Sequence, residues 1–330
     1  MPLSGSSGRV FVTGGNGFIG SRVVRRLVVS GREVKCLLRA SSQKDRLNGL
    51  EYETVLGDVR DADSIRRGME GCDDVVHLAS LSSWSEINSP ALEAVVIDGT
   101  TNVLAAAKRR SGRVVFVSSA TAINGSTTPV VHDETSACTL PLDRFRYPRA
   151  KRAAEALCRA AAETGLAVTI VNPTEVYGPH DTGFVTAGSL VDFAKSAPAV
   201  VCDGGTSVAH VEDVAHGIVE ALAKGRPGER YILGGENLSV RELACETLGI
   251  LGRPARTLKV PNGLLRTLAR VGSALHLPLP FNPAVSPYGT LYWYMSAAKA
   301  ERELGVTFRP ARATLEETLA WLRDAGHLRP

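Results

Sequence analysis

The sequence predicts an α/β protein with a doubly wound parallel sheet and a smaller, mainly helical C-terminal substrate lobe. Three observations lead there. Apolar β-type runs alternate with amphipathic helical runs through residues 9–172. A glycine-rich turn, TGGNGFIG (13–20), joins the first strand to the first helix. Beyond about residue 172 Pro and Gly become frequent and helical patterns predominate. The expected organisation is a flexible tail over 1–8, a dinucleotide-binding domain over 9–172 and a substrate lobe over 173–330. A strand near 229–235 is placed to return to the first domain.

The elements follow in order. Val10 and Val12 mark a short strand, and Ile19, Val23, Val24, Leu27 and Val28 recur at helical spacing. EVKCLL (33–38), YETVL (52–56), DVVHLA (74–79), RVVFVS (113–118) and AVTIV (167–171) read as further strands. Helices near 61–70, 90–109 and 148–164 lie between them, which gives βαβ units. Helices near 186–196, 212–224, 239–251, 263–275 and 312–323 build the lobe, with YILGG (231–235) as one more strand. Ligands of such sheets bind beyond the carboxyl ends of the strands. Thr13, Arg39, Asp58, Ala79, Ser119 and Pro173 all fall at or just after a strand end.

Gly14, Gly17 and Gly20 give the opening turn its character. Glycine permits a left-handed backbone and lets a partner approach the main chain. The helix that opens at Phe18 and Ile19 offers free N–H groups and a partial positive charge, which suits a pyrophosphate. The triplet alone would also fit an unliganded glycine hairpin. The six strand ends turn the balance toward a Rossmann-type dinucleotide site.

Tyr147 and Lys151 are the Tyr-x-x-x-Lys pair of the chain, and a helical continuation puts both on one face. An ammonium near a phenol stabilises the phenolate and lowers the tyrosine pKa from ~10. Such a tyrosine exchanges a proton with a carbonyl or carbinol oxygen. Ser118 and Ser119, at the end of RVVFVS, offer a hydroxyl to polarise that oxygen, although serines after strands are also common turn formers.

Taken together, TGGNGFIG, GDVRD (57–61), HLAS (77–80), VSSA (117–120), YPRAK (147–151), NPTEVYGP (172–179) and HVEDVA (210–215) resemble the extended short-chain dehydrogenase/reductases. These are the NAD-dependent epimerase/dehydratase family, and the match covers about residues 9–235. The likeness is greatest to the dihydroflavonol-reductase-like branch. RPGERYILGGENLSVREL (226–243) resembles proteins labelled hopanoid-associated sugar epimerases. The resemblance implies that Gly14, Gly17 and Gly20, with Phe18 and Ile19, cradle the pyrophosphate. It implies that Asp58 and Val59 contact the adenine, Ala79 lines the cofactor channel and Pro173 flanks the nicotinamide. Ser119, with Ser118 as second choice, Tyr147 and Lys151 would be the catalytic triad, and Tyr147 and Lys151 would also touch the cofactor. One departure is that the family's Asn in N-x-x-G-T is Val96 here, which puts an asparagine-based proton relay in doubt.

The cofactor follows from the end of the second strand. An acid there would repel a 2′-phosphate, whereas this chain has Arg39, with Lys44 and Arg46 soon after. NADP is therefore favoured, with NAD the alternative if Arg39 merely stacks on the adenine. The first reading of function is an NADPH-dependent carbonyl reductase or alcohol dehydrogenase. The second is a nucleotide-sugar epimerase. Val168 to Pro173 lacks the R-x-x-N pattern typical of those enzymes, and GGTSVA (204–209) lacks their usual phosphate-gripping base. A dehydratase is disfavoured by Ala120-Thr121 where an Asp-Glu pair is expected. A non-catalytic dinucleotide sensor would typically lose the tyrosine or lysine, and both are present.

The lobe adds a clue about substrate. Leu264, Leu265, Leu268 and Val271 form a stripe expected to pack the lobe, followed by LHLPLPF (275–281) and Tyr288, Tyr292, Trp293 and Tyr294. Any part facing the cleft, with Trp84, predicts an apolar ketone or alcohol. His210 and Asp213 are expected to cap and orient the following helix.

Composition narrows the remaining classes. A net charge of +4 is too small and dispersed for nucleic acid, and arginine clusters such as Arg25-Arg26, Arg66-Arg67 and Lys108-Arg109-Arg110 read as solvated helix faces. Six cysteines without metal spacing fit a reduced, cytoplasmic setting. No apolar run reaches the ~18 residues of a membrane span, and the start lacks a signal-peptide core. Family analogy implies a homodimer through the helices near 90–109 and 148–164.

Overall fold

A computed structural model describes residues 8–108, 112–279 and 281–328. The expected tail, but for Gly8, lies outside them, as do Arg109 and Arg110. The first half runs β1 (Arg9–Thr13), α1 (Phe18–Val29), β2 (Glu33–Leu38), β3 (Glu53–Leu56), α2 (Ala62–Met69) and β4 (Asp74–His77). It continues with α3 (Ala91–Glu93), α4 (Gly99–Ala107), β5 (Val114–Val117), α5 (Arg146–Glu163) and β6 (Val168–Pro173). The second half holds β7 (Glu175–Tyr177), α6 (Ala187–Lys195), β8 (Ala199–Val201), β9 (Gly205–His210), α7 (Val211–Lys224), β10 (Arg230–Leu233) and β11 (Glu236–Ser239). Then come α8 (Val240–Ile250), β12 (Thr257–Lys259), α9 (Asn262–Ala274), α10 (Ser286–Gly289), β13 (Tyr292–Trp293), α11 (Ala298–Leu304) and α12 (Ala311–Asp324).

Seven parallel strands form the main sheet in the order β3-β2-β1-β4-β5-β6-β10. Strands buried on both faces read as continuous apolar runs rather than alternating ones, as VVFV of β5 does. One face is covered by α1 and α7, where Val23, Val24 and Leu27 pack with Val214 and Ile218. The other is covered by α2, α4 and α5, through Ile65, Val103, Ala154 and Cys158. The chain reverses direction across the sheet between β1 and β4, so their carboxyl ends open a crevice.

The C-terminal part is largely helical, but it also holds two small sheets that the sequence pattern did not show. β9 pairs with β11 on one edge and with β7 and β13 on the other, while β8 pairs with β12. Strands of two to six residues are too short to display a period. His210 caps α7 by accepting the Glu212 N–H at Nδ1, 3.1 Å, and Asp213 holds the Arg309 guanidinium at 2.8 Å. Among the described residues no helix is long and apolar enough to cross a membrane.

Candidate active site

A single cavity of about 890 Å³ runs from the glycine turn across the strand ends into the C-terminal lobe. Its cofactor half is shaped by missing side chains. Gly14 has φ +72°, and a Cβ there would stand 2.8 Å from the Ala79 nitrogen. At Gly20 a Cβ would stand 2.1 Å from the Gly14 carbonyl oxygen. Gly17 opens α1 with no side-chain cap, leaving the first-turn N–H groups without intrahelical acceptors. Gly14, Gly17, Phe18, Ile19 and Gly20 all line the cavity. This cradle fits the pyrophosphate of a dinucleotide.

Arg39, Asp58, Val59, Ala79 and Pro173 line the same cavity. Arg39 is exposed, and its backbone N–H donates to the Ser42 hydroxyl at 3.0 Å. Ser42 is a cavity residue that the sequence reading missed; only the turn geometry brings it back beside Arg39. Lys44 is not in the cavity lining, and Arg46 is turned elsewhere, donating to the carbonyls of Asn16 and His180. Arg60 grips Asp58 with Nε to Oδ1 at 2.9 Å and Nη2 to Oδ2 at 2.8 Å. That fork holds the Asp58 carboxyl below its usual range.

The chemical half is assembled by α5 against the ends of β5 and β6. Lys151 and Glu155 sit on the buried face of α5 among Ala150, Ala154 and Cys158. Lys151 Nζ donates to the Val117 carbonyl at 2.9 Å and lies 5.8 Å from the Tyr147 ring centroid. Burial pulls the Lys151 pKa down to about 8, against the opposing charge of Glu155. Beneath the site His77 bridges Thr13 and Thr100, at 2.6 and 3.2 Å, and burial keeps it neutral with a pKa of about 3.

Tyr147 differs from the expectation. Burial pushes its phenol up to about 12, with Ser119 and Ser80 opposing the rise, rather than Lys151 drawing it down. Desolvation of the phenolate is the largest effect, and the Lys151 ammonium donates to the Val117 carbonyl. The two serines also differ. Ser118 donates to Glu155 Oε1 at 2.6 Å and is buried, whereas the Ser119 hydroxyl meets Thr121 Oγ1 at 2.9 Å and lies beside the phenol. Asn172 ties the assembly, donating to the Ser119 carbonyl at 2.9 Å and to Glu155 Oε1 at 2.6 Å.

Val96 lies buried in a π-helical turn, Ala94–Asp98, that links α3 and α4. This turn forms without the family asparagine, with Thr100 Oγ1 donating to the Val96 carbonyl at 2.5 Å. Another residue, Tyr288 of the cavity lining, has its Oη buried without a partner. The sequence reading names Tyr288 in the aromatic cluster of the lobe, and folding of the lobe brings it to the cavity.

The lobe side of the cavity is aromatic. Tyr288 meets Trp84 at 5.4 Å, Phe145 at 5.2 Å and Trp293 at 6.0 Å between ring centroids. The indole N–H of Trp84 donates to the Val185 carbonyl at 2.7 Å. Trp84, Tyr288, Trp293 and Leu265 line the cavity, while Tyr292 and Tyr294 do not. The leucine stripe divides: Leu265 is buried, but Leu264, Leu268 and Val271 face solvent instead of packing the lobe. None of the six cysteines is in a disulfide.

The fold and this site define an NAD(P)-dependent enzyme of the short-chain dehydrogenase/reductase type. The chain belongs to the NAD dependent epimerase/dehydratase family, whose model matches residues 10–234. It is 33% identical to a dihydroflavonol 4-reductase-like protein of Synechocystis sp., over 97% of this chain and 96% of that one. It is 31% identical to the 4-hydroxy-2-methyl-3-oxo-4-farnesyl-3,4-dihydroquinoline-1-oxide ketoreductase of Stigmatella aurantiaca, over 96% of each. Among solved structures it resembles PA4631, a nucleoside-diphosphate-sugar epimerase from Pseudomonas aeruginosa, with a TM-score of 0.79 and 26% identity. That match covers 98% of this chain and all of the other.

Proposed function

We propose that the protein is an NADPH-dependent carbonyl reductase acting on an apolar ketone. The observation that carries this reading is Tyr147, a phenol held protonated near neutral pH beside Ser119 in an aromatic-walled cavity. A protonated phenol is a proton donor, the role that reduction requires. Gly14, Gly17, Gly20, Asp58, Val59, Ala79 and Pro173 would hold the dinucleotide, with Arg39 and Ser42 on the 2′-phosphate. Bound there, the reduced nicotinamide supplies a hydride. Ser119 orients the carbonyl oxygen and Tyr147 gives it a proton. Lys151 holds a positive charge beneath them, and Ser118 stays engaged by Glu155. The aromatic wall excludes water and favours an apolar body, in keeping with a ketoreductase relative named for a farnesyl-bearing ketone.

A second reading, a nucleotide-sugar epimerase, draws on the likeness to PA4631. The lobe side of the cavity argues against it. Among the described residues that line it, Lys195 is the only cation, while Glu175, Asp181 and Asp192 are acids. A diphosphate would meet net repulsion there. Family likeness also supports a homodimer through α4 and α5, which equilibrium sedimentation of the purified chain would test.

The decisive experiment is a screen of apolar ketones with NADPH, in wild type and Tyr147→Phe. Turnover lost by ~10²-fold or more, with NADPH still bound, is expected. Turnover retained in the variant, or cofactor binding without any reduction, would overturn the reading.

A further inference from the structure

The outer face of α9 carries a second signal. Leu265, Ala269 and Gly272 turn inward, and Leu265 lines the cavity. One position before each lie Leu264, Leu268 and Val271, followed by Leu275, and these four are 43% to 64% exposed. Leu277 just beyond is 53% exposed. Neighbours three and four apart on a helix share a face, so the four make one continuous apolar stripe. An isolated exposed leucine needs no explanation, but a contiguous patch marks an interaction site.

Charge says what kind of partner the stripe suits. Between Glu246 and Glu301 the chain has no aspartate or glutamate, whereas it carries Arg253, Arg256, Lys259, Arg266, Arg270 and Lys299. Arg253, Arg256, Lys259, Arg266 and Arg270 are exposed. Among the described residues, Arg253, Arg256, Arg266 and Arg270 enter no ion pair. At 100° per residue, Arg266 and Arg270 fall on the side of α9 away from the stripe. A helix with leucines on one face and arginines on the other lies in the plane of a bilayer surface, and anionic lipid strengthens its hold.

We propose that α9 and the segment after it dock this protein on an anionic lipid surface. The inner face of the same helix is cavity wall, so a docked molecule would hold its substrate cavity against the bilayer, where an apolar ketone dissolves. That purpose rests on the reductase reading above, but the surface itself does not.

The test is co-sedimentation of the purified full chain with vesicles of phosphatidylglycerol and phosphatidylcholine in equal parts, and with phosphatidylcholine alone. Sedimentation with the anionic vesicles, weakened by salt, is expected. The pair Leu268→Asp with Leu275→Asp should lower partition ~tenfold or more, while NADPH binding is kept because all of these side chains point outward. The pair Arg256→Glu with Arg270→Glu should bring anionic binding down to the level on phosphatidylcholine. No sedimentation of the wild type, or sedimentation of both variants equal to that of the wild type, would overturn the proposal. So would a dimer that the aspartate pair dissolves, because a second copy would then cover the stripe. Vesicle binding is read without turnover, so a chain that sediments yet reduces no ketone sinks the reductase reading alone. A reductase that ignores vesicles sinks the surface alone.

Discussion

Ser118 donates its hydroxyl to Oε1 of Glu155 at 2.6 Å, and both side chains are shut off from solvent. The bond engages one of two adjacent serines and leaves Ser119 beside Tyr147. It also anchors α5 to the end of β5, since Asn172 donates to the same carboxylate oxygen and to the Ser119 carbonyl. Replacing Ser119 with Ala should cut kcat by ~10²-fold or more and leave unfolding in urea nearly unchanged. Replacing Ser118 with Ala should do the reverse, costing ~1–3 kcal/mol of stability because a buried acceptor loses a donor. Equal losses of kcat in both variants would refute the division of labour.

The lysine should make activity sensitive to pH. Lys151 is charged below about 8 and loses its proton above, whereas Tyr147 keeps its own until about 12. Reduction should therefore fall as pH rises through about 8, with a one-proton slope. Stability should move the other way. The folded pKa lies below the ordinary 10.5, so the unfolded chain binds more protons between those values and stability rises with pH across that window. Lys151→Met should abolish this rise in denaturant midpoints measured across it.

Arg39 and Ser42 should separate the two cofactors. A guanidinium at the end of β2 favours a phosphate through charge-assisted bonds. Fluorescence titration of Arg39→Ala should show NADPH binding weakened by about one to two orders of magnitude, with NADH binding little changed. Preference for NADH in the wild type would contradict the assignment and restore weight to a cofactor recycled in place.

Tyr288 carries a buried hydroxyl with no partner, and the neighbouring Tyr147 adds to the burial that raises its pKa. An unsatisfied polar group costs stability, so Tyr288→Phe should leave the melting temperature unchanged or higher. If the hydroxyl meets a second oxygen of the substrate, the same variant should lose ~tenfold in kcat/KM for ketones that carry one. Simple apolar ketones should be unaffected. A uniform loss across both sets would make Tyr288 part of the packing alone.

Much of the fold was legible without coordinates because its signals are local. Alternating strands and helices, the stop at Gly14 and the strand-end placement of Asp58, Ala79 and Pro173 all depend on period and backbone sterics within a few residues. The short strands β7 to β9 and β11 to β13 were not legible, since pieces so brief are set by their neighbours rather than by their own pattern.

What the sequence by itself determined is the parallel sheet, the glycine cradle that admits a dinucleotide, and the Tyr147–Lys151 spacing on one helix face. Only the tertiary structure decided which serine is free, that Tyr147 stays protonated, and that Trp84, Phe145, Tyr288 and Trp293 form one wall. It also decided that Leu264 and Leu268 face outward while Leu265 faces in. The physical reason is desolvation and convergence: a pKa follows from what surrounds a group in space, and a wall built from residues two hundred positions apart leaves no trace in any local window.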